Sequence, residues 1–347
     1  AREKLGVVAA VERVGGMQAQ IAKPPFVGLW SRLESLPRDA VAREIHGRTL
    51  VRATWVRATI HLVSRRDYLA YRTTVQPALD RAVAGILKGR VAPGELGPVI
   101  EAVRAFLAKG PATFDAIRDE LGRAFPKGDI RAFAYAVRCT VPLVLVPDPS
   151  AAFAYAGNAG FLPAETWLDE PPSRNAALAD FVRRYLAAYG PASVKDAEAW
   201  SLLGKLGDTF ESLRGELVTF RDDKGRELFD LADAPRPGTD ADAPVRFLPE
   251  FDSVLLAHHD RRRIIEESHR PLLATKNLFV PATILVDGMI RGKWTLARKK
   301  DAATLEIAPF AKLDKRTIAA LEDEGEALAR FQEPDAKRIE VRFAKAP

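Results

Sequence analysis

The chain has 347 residues, 47% hydrophobic and 28% charged, a composition typical of a globular protein with a substantial core. Its formal net charge of +6 only mildly favours a polyanionic partner, and Cys139, its single cysteine, excludes an intramolecular disulfide. The charged N-terminus and the lack of an apolar run of ~20 residues argue against a signal peptide and a membrane-spanning helix. We therefore expect a cytoplasmic protein.

Near the start, a double glycine (Gly15 and Gly16) precedes two glutamines separated by one alanine, Gln18 and Gln20. In an extended segment alternate side chains share a face, so both carboxamides are predicted to point to the same side of one accessible channel. A carboxamide does not titrate, but it donates and accepts hydrogen bonds, and two of them could hold a water molecule. The alternative is a polar pair on the wet face of a short strand.

The rest of the first 85 residues predicts two helices and a pair of β-prone runs. The helices are expected at residues 30–36 and 37–45, the second entered through Pro37. Residues 50–63 (LVRATWVRATIHLV) alternate with a β-like period and carry Arg52, Arg57 and His61 among the polar positions. The imidazole of His61 fits either a core-edge position or a ligand-facing one.

A weak internal repeat follows. Residues 104–121 (RAFLAKGPATFDAIRDEL) and 183–203 (RRYLAAYGPASVKDAEAWSLL) share the sequence Gly-Pro-Ala-Thr/Ser. In each copy an apolar helix ends at Gly, and Thr113 or Ser193 is a suitable N-cap for the next helix. Each copy therefore predicts a helix, a tight turn and a second helix.

Each copy is followed by a hairpin pattern, at residues 141–156 (VPLVLVPDPSAAFAYA) and 216–231 (ELVTFRDDKGRELFDL). A helix-turn-helix followed by a two-stranded wing in ~80 residues is the outline of a winged-helix module. With the N-terminal segment, the sequence predicts three tandem modules at residues 1–85, 86–165 and 166–245, the last including a Pro- and Asp-rich linker (231–246).

Residues 246–347 are predicted to be mostly β. Residues 282–300 form a hairpin pattern with Asp-Gly at the turn, and two later strands flank a helix at residues 315–330. Short strands with turn sequences between them predict a small barrel or curled sheet. Neither a GxGxxG nor a Walker loop occurs, so no nucleotide cofactor is expected.

Two basic segments carry candidate contacts. In residues 248–265 (LPEFDSVLLAHHDRRRII), His258 and His259 are adjacent, which does not suit a metal pair, and no metal site is expected. The run 261–263, three arginines, fits either phosphate contacts or a solvated charge run. On the C-terminal hairpin, Lys293, Trp294 and Arg298 combine an aromatic with cations, which suits a DNA-tracking surface or a lysine-protected edge strand.

These features together resemble the AlkZ/YcaQ family of bacterial DNA glycosylases. The matching segments are MQAQ (17–20), RATIHLV (57–63), YGPAS (189–193) and, most specifically, LPEFDSVLLAHHDR (248–261). The resemblance implies an α+β fold in which three tandem winged-helix modules surround a C-terminal β-barrel-like domain, C-shaped with a central channel. It also implies that Gln18 and Gln20 are catalytic. The Gln-x-Gln pattern is similar to the branch that unhooks azinomycin-type interstrand crosslinks.

The partner so implied is double-stranded DNA carrying alkylated or crosslinked purines, bound by a monomer that is associated with the nucleoid and needs no cofactor. The double glycine is expected to let the backbone come close to this DNA. The expected DNA contacts are cations, histidines and one tryptophan: Arg32, Arg52, Arg57, His61, His258, His259, Arg261, Arg262, Arg263, Lys293, Trp294 and Arg298.

The chemistry of the lesion explains why neutral amides could suffice. An N7-alkylated guanine is already cationic and leaves without protonation, so hydrolysis mainly requires a placed water and tolerance of an oxocarbenium ion. Such a site would leave uncharged bases intact. The alternative function is a winged-helix transcription regulator without enzymatic activity, but no convincing dimerisation heptad is visible.

Overall fold

The structure is a computed structural model that describes residues 2–92, 94–238, 240–275 and 279–345. The helices are α1 (Val7–Arg13), α2 (Pro24–Arg32), α3 (Arg38–His46), α4 (Arg65–Ile86), α5 (Leu96–Leu107), α6 (Phe114–Ala124), α7 (Ile130–Thr140), α8 (Ala164–Leu168), α9 (Leu178–Tyr189), α10 (Val194–Ser201), α11 (Gly207–Ser212) and α12 (Lys315–Gln332). The strands are β1 (Met17–Gln18), β2 (Leu50–Thr54), β3 (Ile60–Ser64), β4 (Leu143–Leu145), β5 (Phe161–Pro163), β6 (Leu217–Arg221), β7 (Glu227–Leu231), β8 (Arg246–Leu248), β9 (Thr283–Val286), β10 (Met289–Lys299), β11 (Ala302–Pro309) and β12 (Arg338–Phe343). None of these helices combines the length and the apolar character that crossing a bilayer requires.

The N-terminal half is built on one five-stranded sheet with the order β1-β3-β2-β4-β5. All of its strand pairs are antiparallel. Strands β2 and β3 are buried along their whole length, including the polar residues Arg52 and His61. Because this sheet takes strands from both of the first two predicted modules, those modules share one core.

Two of the expected elements in this half are placed differently. The helix expected at residues 30–36 is α2, which starts earlier because Pro24 and Pro25 occupy its first turn and ends before the extended Leu33. The helix expected at 37–45 is confirmed as α3, with Pro37 at its N-cap. The hairpin expected at 141–156 was wrong: β4 pairs with β2 and β5, and the residues between β4 and β5 form a long loop.

The repeat is confirmed as two helix pairs, α5–α6 and α9–α10. Thr113 and Ser193 are the N-caps of the second helices, each accepting a hydrogen bond from a backbone N–H of the first turn. In α10 the Asp196 carboxylate also bonds back to the backbone of Ser193, which completes a capping box. The hairpin expected after the second copy is β6–β7. The detailed packing of these elements as winged helices stays a prediction.

The C-terminal part contains the expected strands and helix but not a closed barrel. The described strands form an open sheet in the order β12-β11-β10-β9-β8, with β11 and β12 parallel. Helix α12 packs on it through Leu321 and Leu328, which share a buried cluster with Phe247, Leu305 and Ile307. Because α12, together with Val27 and Trp30 of α2, covers the apolar face of the sheet, that face is buried without the sheet closing on itself.

Candidate active site around Gln18 and Gln20

The double glycine forms the turn between α1 and β1. Gly15 and Gly16 have φ angles of +62° and +94°, in the region that side chains rarely adopt. A Cβ on Gly15 would lie 3.0 Å from the indole of Trp200, and both glycines are buried. The expectation that this turn approaches DNA was therefore wrong, since it packs against the protein interior and aims β1 instead.

The Gln18 side chain is buried, with 8% of its surface exposed, on a strand position directly opposite His61. Its Oε1 accepts a hydrogen bond from Nη2 of Arg57 at 3.1 Å, and Nη1 of Arg57 donates to the carbonyl of Trp200 at 3.0 Å. Arg57 and Ala58 both have positive φ angles, +58° and +54°. Two successive non-glycine residues in this region cost conformational energy, so the β2–β3 loop is strained where it brings Arg57 to Gln18.

Gln20 is exposed and lies just beyond β1. Its Oε1 accepts a hydrogen bond from the backbone N–H of Ile60 at 3.1 Å. The backbone on either side is held by Arg52, whose Nε donates to the Ala19 carbonyl at 2.8 Å and whose Nη2 donates to the Gln20 carbonyl at 3.1 Å.

The structure corrects the expected role of Arg52, which is only 6% exposed and whose guanidinium lies 5.0 Å from the ring centre of Tyr155. Burial lowers the pKa of this guanidinium. Its donors are directed at the backbone of the glutamine segment and not at solvent. Arg52 therefore positions the motif internally and is not placed to contact a phosphate.

The two anchors fix which way each carboxamide is turned. A guanidinium and a backbone N–H can only donate, so both Arg57 and Ile60 require the oxygen of the glutamine that they contact. Among the described residues, neither Gln18 Nε2 nor Gln20 Nε2 has a hydrogen-bond partner of its own. Both NH₂ groups are therefore available to a ligand, together with the second lone pair of each oxygen.

His61 is held as a neutral imidazole. It is 1% exposed, with Nδ1 lying 3.2 Å from the Thr59 carbonyl and Nε2 lying 3.2 Å from Nη2 of Arg57. Nδ1 therefore carries the proton and Nε2 accepts from Arg57. Burial, reinforced by the charge of Arg57, lowers the pKa of His61 well below its ordinary value. His61 thus supports Arg57 and does not present a charge to DNA.

A narrow crevice, about as wide as a single water molecule, brings Gln18 next to the LPEFDS segment. Gln18 lines it together with Arg32, Glu250, Asp252 and Ser253. Both carboxylate oxygens of Asp252 accept from Arg32, at 2.8 and 3.0 Å, and the Asp252 side chain is almost fully buried. Arg32, an expected phosphate contact, is thus already neutralised by an internal partner.

The two adjacent histidines have different environments. His258 is buried, with Nε2 3.0 Å from the Tyr189 carbonyl, and burial lowers its pKa. His259 is exposed, and its backbone N–H donates to Asp196 at 2.8 Å, which ties this loop to the start of α10. Within the described ranges, no group of three His, Cys, Asp or Glu side chains is arranged to hold a metal ion.

The arginines that follow are not equivalent. Arg262 forms an ion pair with Asp260 at 2.6 Å, and Arg263 donates to the Pro191 carbonyl at 2.8 Å. The guanidinium of Arg261 makes neither a hydrogen bond nor an ion pair with any residue that the structure describes. Burial lowers the pKa of Arg57 to about 10, and the nearby charge of Arg261 adds to this lowering. Arg261 is therefore the member of the run that combines an uncompensated charge with proximity to the site.

The C-terminal hairpin lacks the aromatic surface that the sequence predicts. Trp294 is 6% exposed, packs edge-on against Phe247, and donates from Nε1 to the Leu248 carbonyl at 2.9 Å. It is therefore a core residue that holds β8, the strand leading into LPEFDS. Arg298 is exposed but paired with Glu333 at 3.1 Å, and Lys293 is half-buried.

Sequence reasoning missed four residues that shape the site. Glu250, Asp252 and Ser253 line the Gln18 crevice, and the Tyr189 hydroxyl donates to the Val14 carbonyl at 2.6 Å. All four lie inside the segments 189–193 and 248–261 on which the family resemblance was based. The signal lay in those segments, but an electrostatic criterion for DNA contacts selects cations and histidines, and these four side chains are acidic or neutral.

Comparisons with known proteins identify the family and the fold. The family model described as DNA glycosylase AlkZ-like matches residues 11–331. A Streptomyces sahachiroi protein named interstrand DNA cross-link repair glycosylase is 25% identical over 360 residues, covering 96% of this chain and 92% of that protein. The solved structure of Streptomyces sahachiroi DNA glycosylase AlkZ has the same fold, with a TM-score of 0.77 at 21% identity over 99% of this chain and 95% of that chain. Since the family match spans nearly the whole sequence, the chain belongs to the family of AlkZ-like DNA glycosylases and is an enzyme that acts on N-glycosyl bonds.

Proposed function

We propose that this protein is a DNA repair glycosylase that hydrolyses the N-glycosidic bond of cationic N7-alkylated purines in double-stranded DNA. Its substrates include azinomycin-type interstrand crosslinks, in line with the name of the Streptomyces relative. It acts as a monomer without a cofactor, in the cytoplasm at the nucleoid, and water is the nucleophile. The observation that carries the proposal is the pair of anchored carboxamides, Gln18 and Gln20, whose NH₂ groups have no partner in the part of the chain that the structure describes.

The two carboxamides are suited to placing a water that attacks the oxocarbenium ion of the sugar. A water that accepts from the NH₂ group of one glutamine and donates to the free lone pair of the other glutamine's oxygen keeps one lone pair for the sugar carbon. Such a water is a weak nucleophile, because no strong base removes its proton. It suffices once the positively charged purine has begun to leave, since the remaining sugar cation reacts readily with water. Preorganised dipoles then lower the barrier without having to reorganise during the reaction.

The same features explain selectivity for charged lesions. Normal purines need a proton donor to leave, and the histidine nearest to Gln18 is a poor one, because burial lowers the pKa of His61 well below neutrality. An N7-alkylated purine needs no such donor. We propose that the site discriminates by this lack of acid catalysis and leaves undamaged DNA intact.

A direct assay separates this function from that of a DNA-binding regulator. The protein is incubated with a duplex containing one N7-methylguanine, and the products are treated with alkali. We expect strand breaks at the lesion, which report abasic sites, and no borohydride-trapped covalent adduct, because water and not a lysine attacks. Gel retardation without breaks would instead indicate a binding protein without glycosylase activity.

A further inference from the structure

Beside the glutamine segment, one aromatic side chain lies between two cations. Phe153, in the loop between β4 and β5, has Lys23 Nζ at 5.9 Å and Arg38 Cζ at 5.7 Å from its ring centre. The ring itself is held from below by an edge-to-face contact with the buried Phe26, with centroids 5.2 Å apart. This arrangement fixes the two cations relative to each other, within the range of cation–π contacts.

Among the described residues, these two cations have no partner of opposite charge in direct contact. Neither the ammonium of Lys23 nor the guanidinium of Arg38 forms a hydrogen bond or ion pair with a residue that the structure describes. On α3, the helix that begins at Arg38, Arg43 is by contrast paired with Asp39 one turn earlier. Two carboxylates, Glu333 and Glu250, act on Lys23 from a distance without contacting it, and that of Glu333 is itself paired with Arg298.

The position of the cluster ties it to the candidate active site. Lys23 follows Gln20 by three residues, so their Cα atoms are at most ~11 Å apart. The Ile21 side chain between them is 49% exposed, so this segment faces outward. The Arg52 guanidinium that clamps the Gln20 carbonyl also lies over Tyr155, in the same loop as Phe153. The glutamine segment and the cationic cluster are therefore held by one network.

We propose that Lys23, Arg38 and Phe153 form a phosphate-binding platform that grips the DNA backbone next to the lesion. The proposal rests on the proposed function, because it takes duplex DNA as the ligand. The ammonium and the guanidinium donate to phosphate oxygens, and the Phe153 ring presents an apolar surface to the adjoining sugar. Contacts of this kind set the position of the DNA without reading its sequence.

The platform is tested by the salt dependence of binding to an undamaged duplex. We expect Lys23→Gln/Arg38→Gln to weaken binding and to reduce the slope of log K against log salt by about 2, since each phosphate contact contributes ~0.9. Arg43→Gln, which removes a paired cation from the same helix, should leave affinity and slope unchanged. The charge-preserving swap Lys23→Arg/Arg38→Lys should keep most of the slope, which separates loss of charge from loss of folding.

An unchanged slope in Lys23→Gln/Arg38→Gln would overturn the platform, and so would an equal loss in the charge-preserving swap. Excision of N7-methylguanine by the wild-type protein is measured separately. Failure of that reaction would contradict the proposed function. The salt dependence of binding could still be interpreted, because it is measured on undamaged DNA, where no base is excised.

Discussion

At the scale of single residues, the chemistry depends on which atom of each glutamine is free. The Gln18 oxygen is held by Arg57 and the Gln20 oxygen by the Ile60 N–H, so the donors of both amides remain for the ligand. The remaining hydrogen bonds of Arg57 go to the Trp200 carbonyl and to His61, so all of its recorded contacts are with groups of the protein. We therefore infer that Arg57 is a positioning residue that acts through Gln18.

Replacing Arg57 by methionine should slow excision by up to ~10²-fold, because the released carboxamide of Gln18 can turn away from its productive orientation. The same change in a Gln18→Ala background should have little further effect, since the amide that it positions is already gone. Single-turnover rates of the four proteins complete this double-mutant cycle. Additive losses would contradict a role that acts through Gln18.

His61 makes a pH-dependent contribution to stability. Its pKa is lowered in the folded protein from the ordinary value of 6.5, so the unfolded chain takes up a proton first as the pH falls. Its contribution to the free energy of unfolding is complete above about pH 6.5 and decreases on acidification toward the folded pKa. Relative to His61→Gln, the wild-type protein should therefore lose its stability advantage below this pH.

Urea unfolding at pH 7.5, 6.5 and 5.5 measures this difference, with the exposed His46→Gln as the matched control. His258 is present in all three proteins and cancels in the comparison. A difference between wild type and His61→Gln that stays constant across this range would show that His61 is not kept neutral by burial.

At the scale of secondary structure, the sequence predicted those features that depend on residues close together in the chain. The N-caps Thr113 and Ser193, the hairpin β6–β7 and the helix α12 all follow from residues close in sequence, and the structure confirms them. The partner of β4 could not be predicted in this way. Its pairing with β2 joins segments about 90 residues apart, and a sequence pattern does not contain that information.

The candidate site shows the same division. The glutamine pair and the LPEFDS segment were recognisable in the sequence, and the structure places Gln18, but not Gln20, at one crevice with that segment. The role of Arg52 was not predictable, because an arginine at a polar position of an alternating polar and apolar strand is expected to face solvent. In the structure both faces of β2 are covered, and the Arg52 charge is satisfied by backbone carbonyls of the segment that it supports.

At the scale of the whole molecule, a net charge of +6 says little about where DNA binds, because many of the arginines are already paired. Of the run 261–263, Arg262 is neutralised by Asp260 and Arg263 is engaged with a backbone carbonyl. Arg261 carries the uncompensated charge near Arg57. Affinity is therefore expected to depend on a few free cations and not on the number of basic residues.

Arg261→Ala should accordingly weaken binding to every duplex and reduce the salt slope by about 1, as expected for one lost phosphate contact. Arg262→Ala should change the slope less, because its ion pair with Asp260 already offsets its charge. Fluorescence anisotropy with two unrelated duplexes over a salt series measures both. This assignment would be contradicted if both variants reduced the salt slope equally, or if affinity fell for only one of the two duplexes.

We propose that Gln18 and Gln20 together hold the attacking water. Single-turnover excision of N7-methylguanine by Gln18→Ala, Gln20→Ala and the double variant tests it most directly, with DNA affinity measured in parallel. We expect each single change to slow base release by roughly 10²–10³-fold at nearly unchanged affinity, as for the loss of one preorganised hydrogen bond. The double variant should be little slower than the more impaired single one, because both amides serve one water. Wild-type rates in both single variants would contradict the claim and leave the glutamines as a polar surface of the strand.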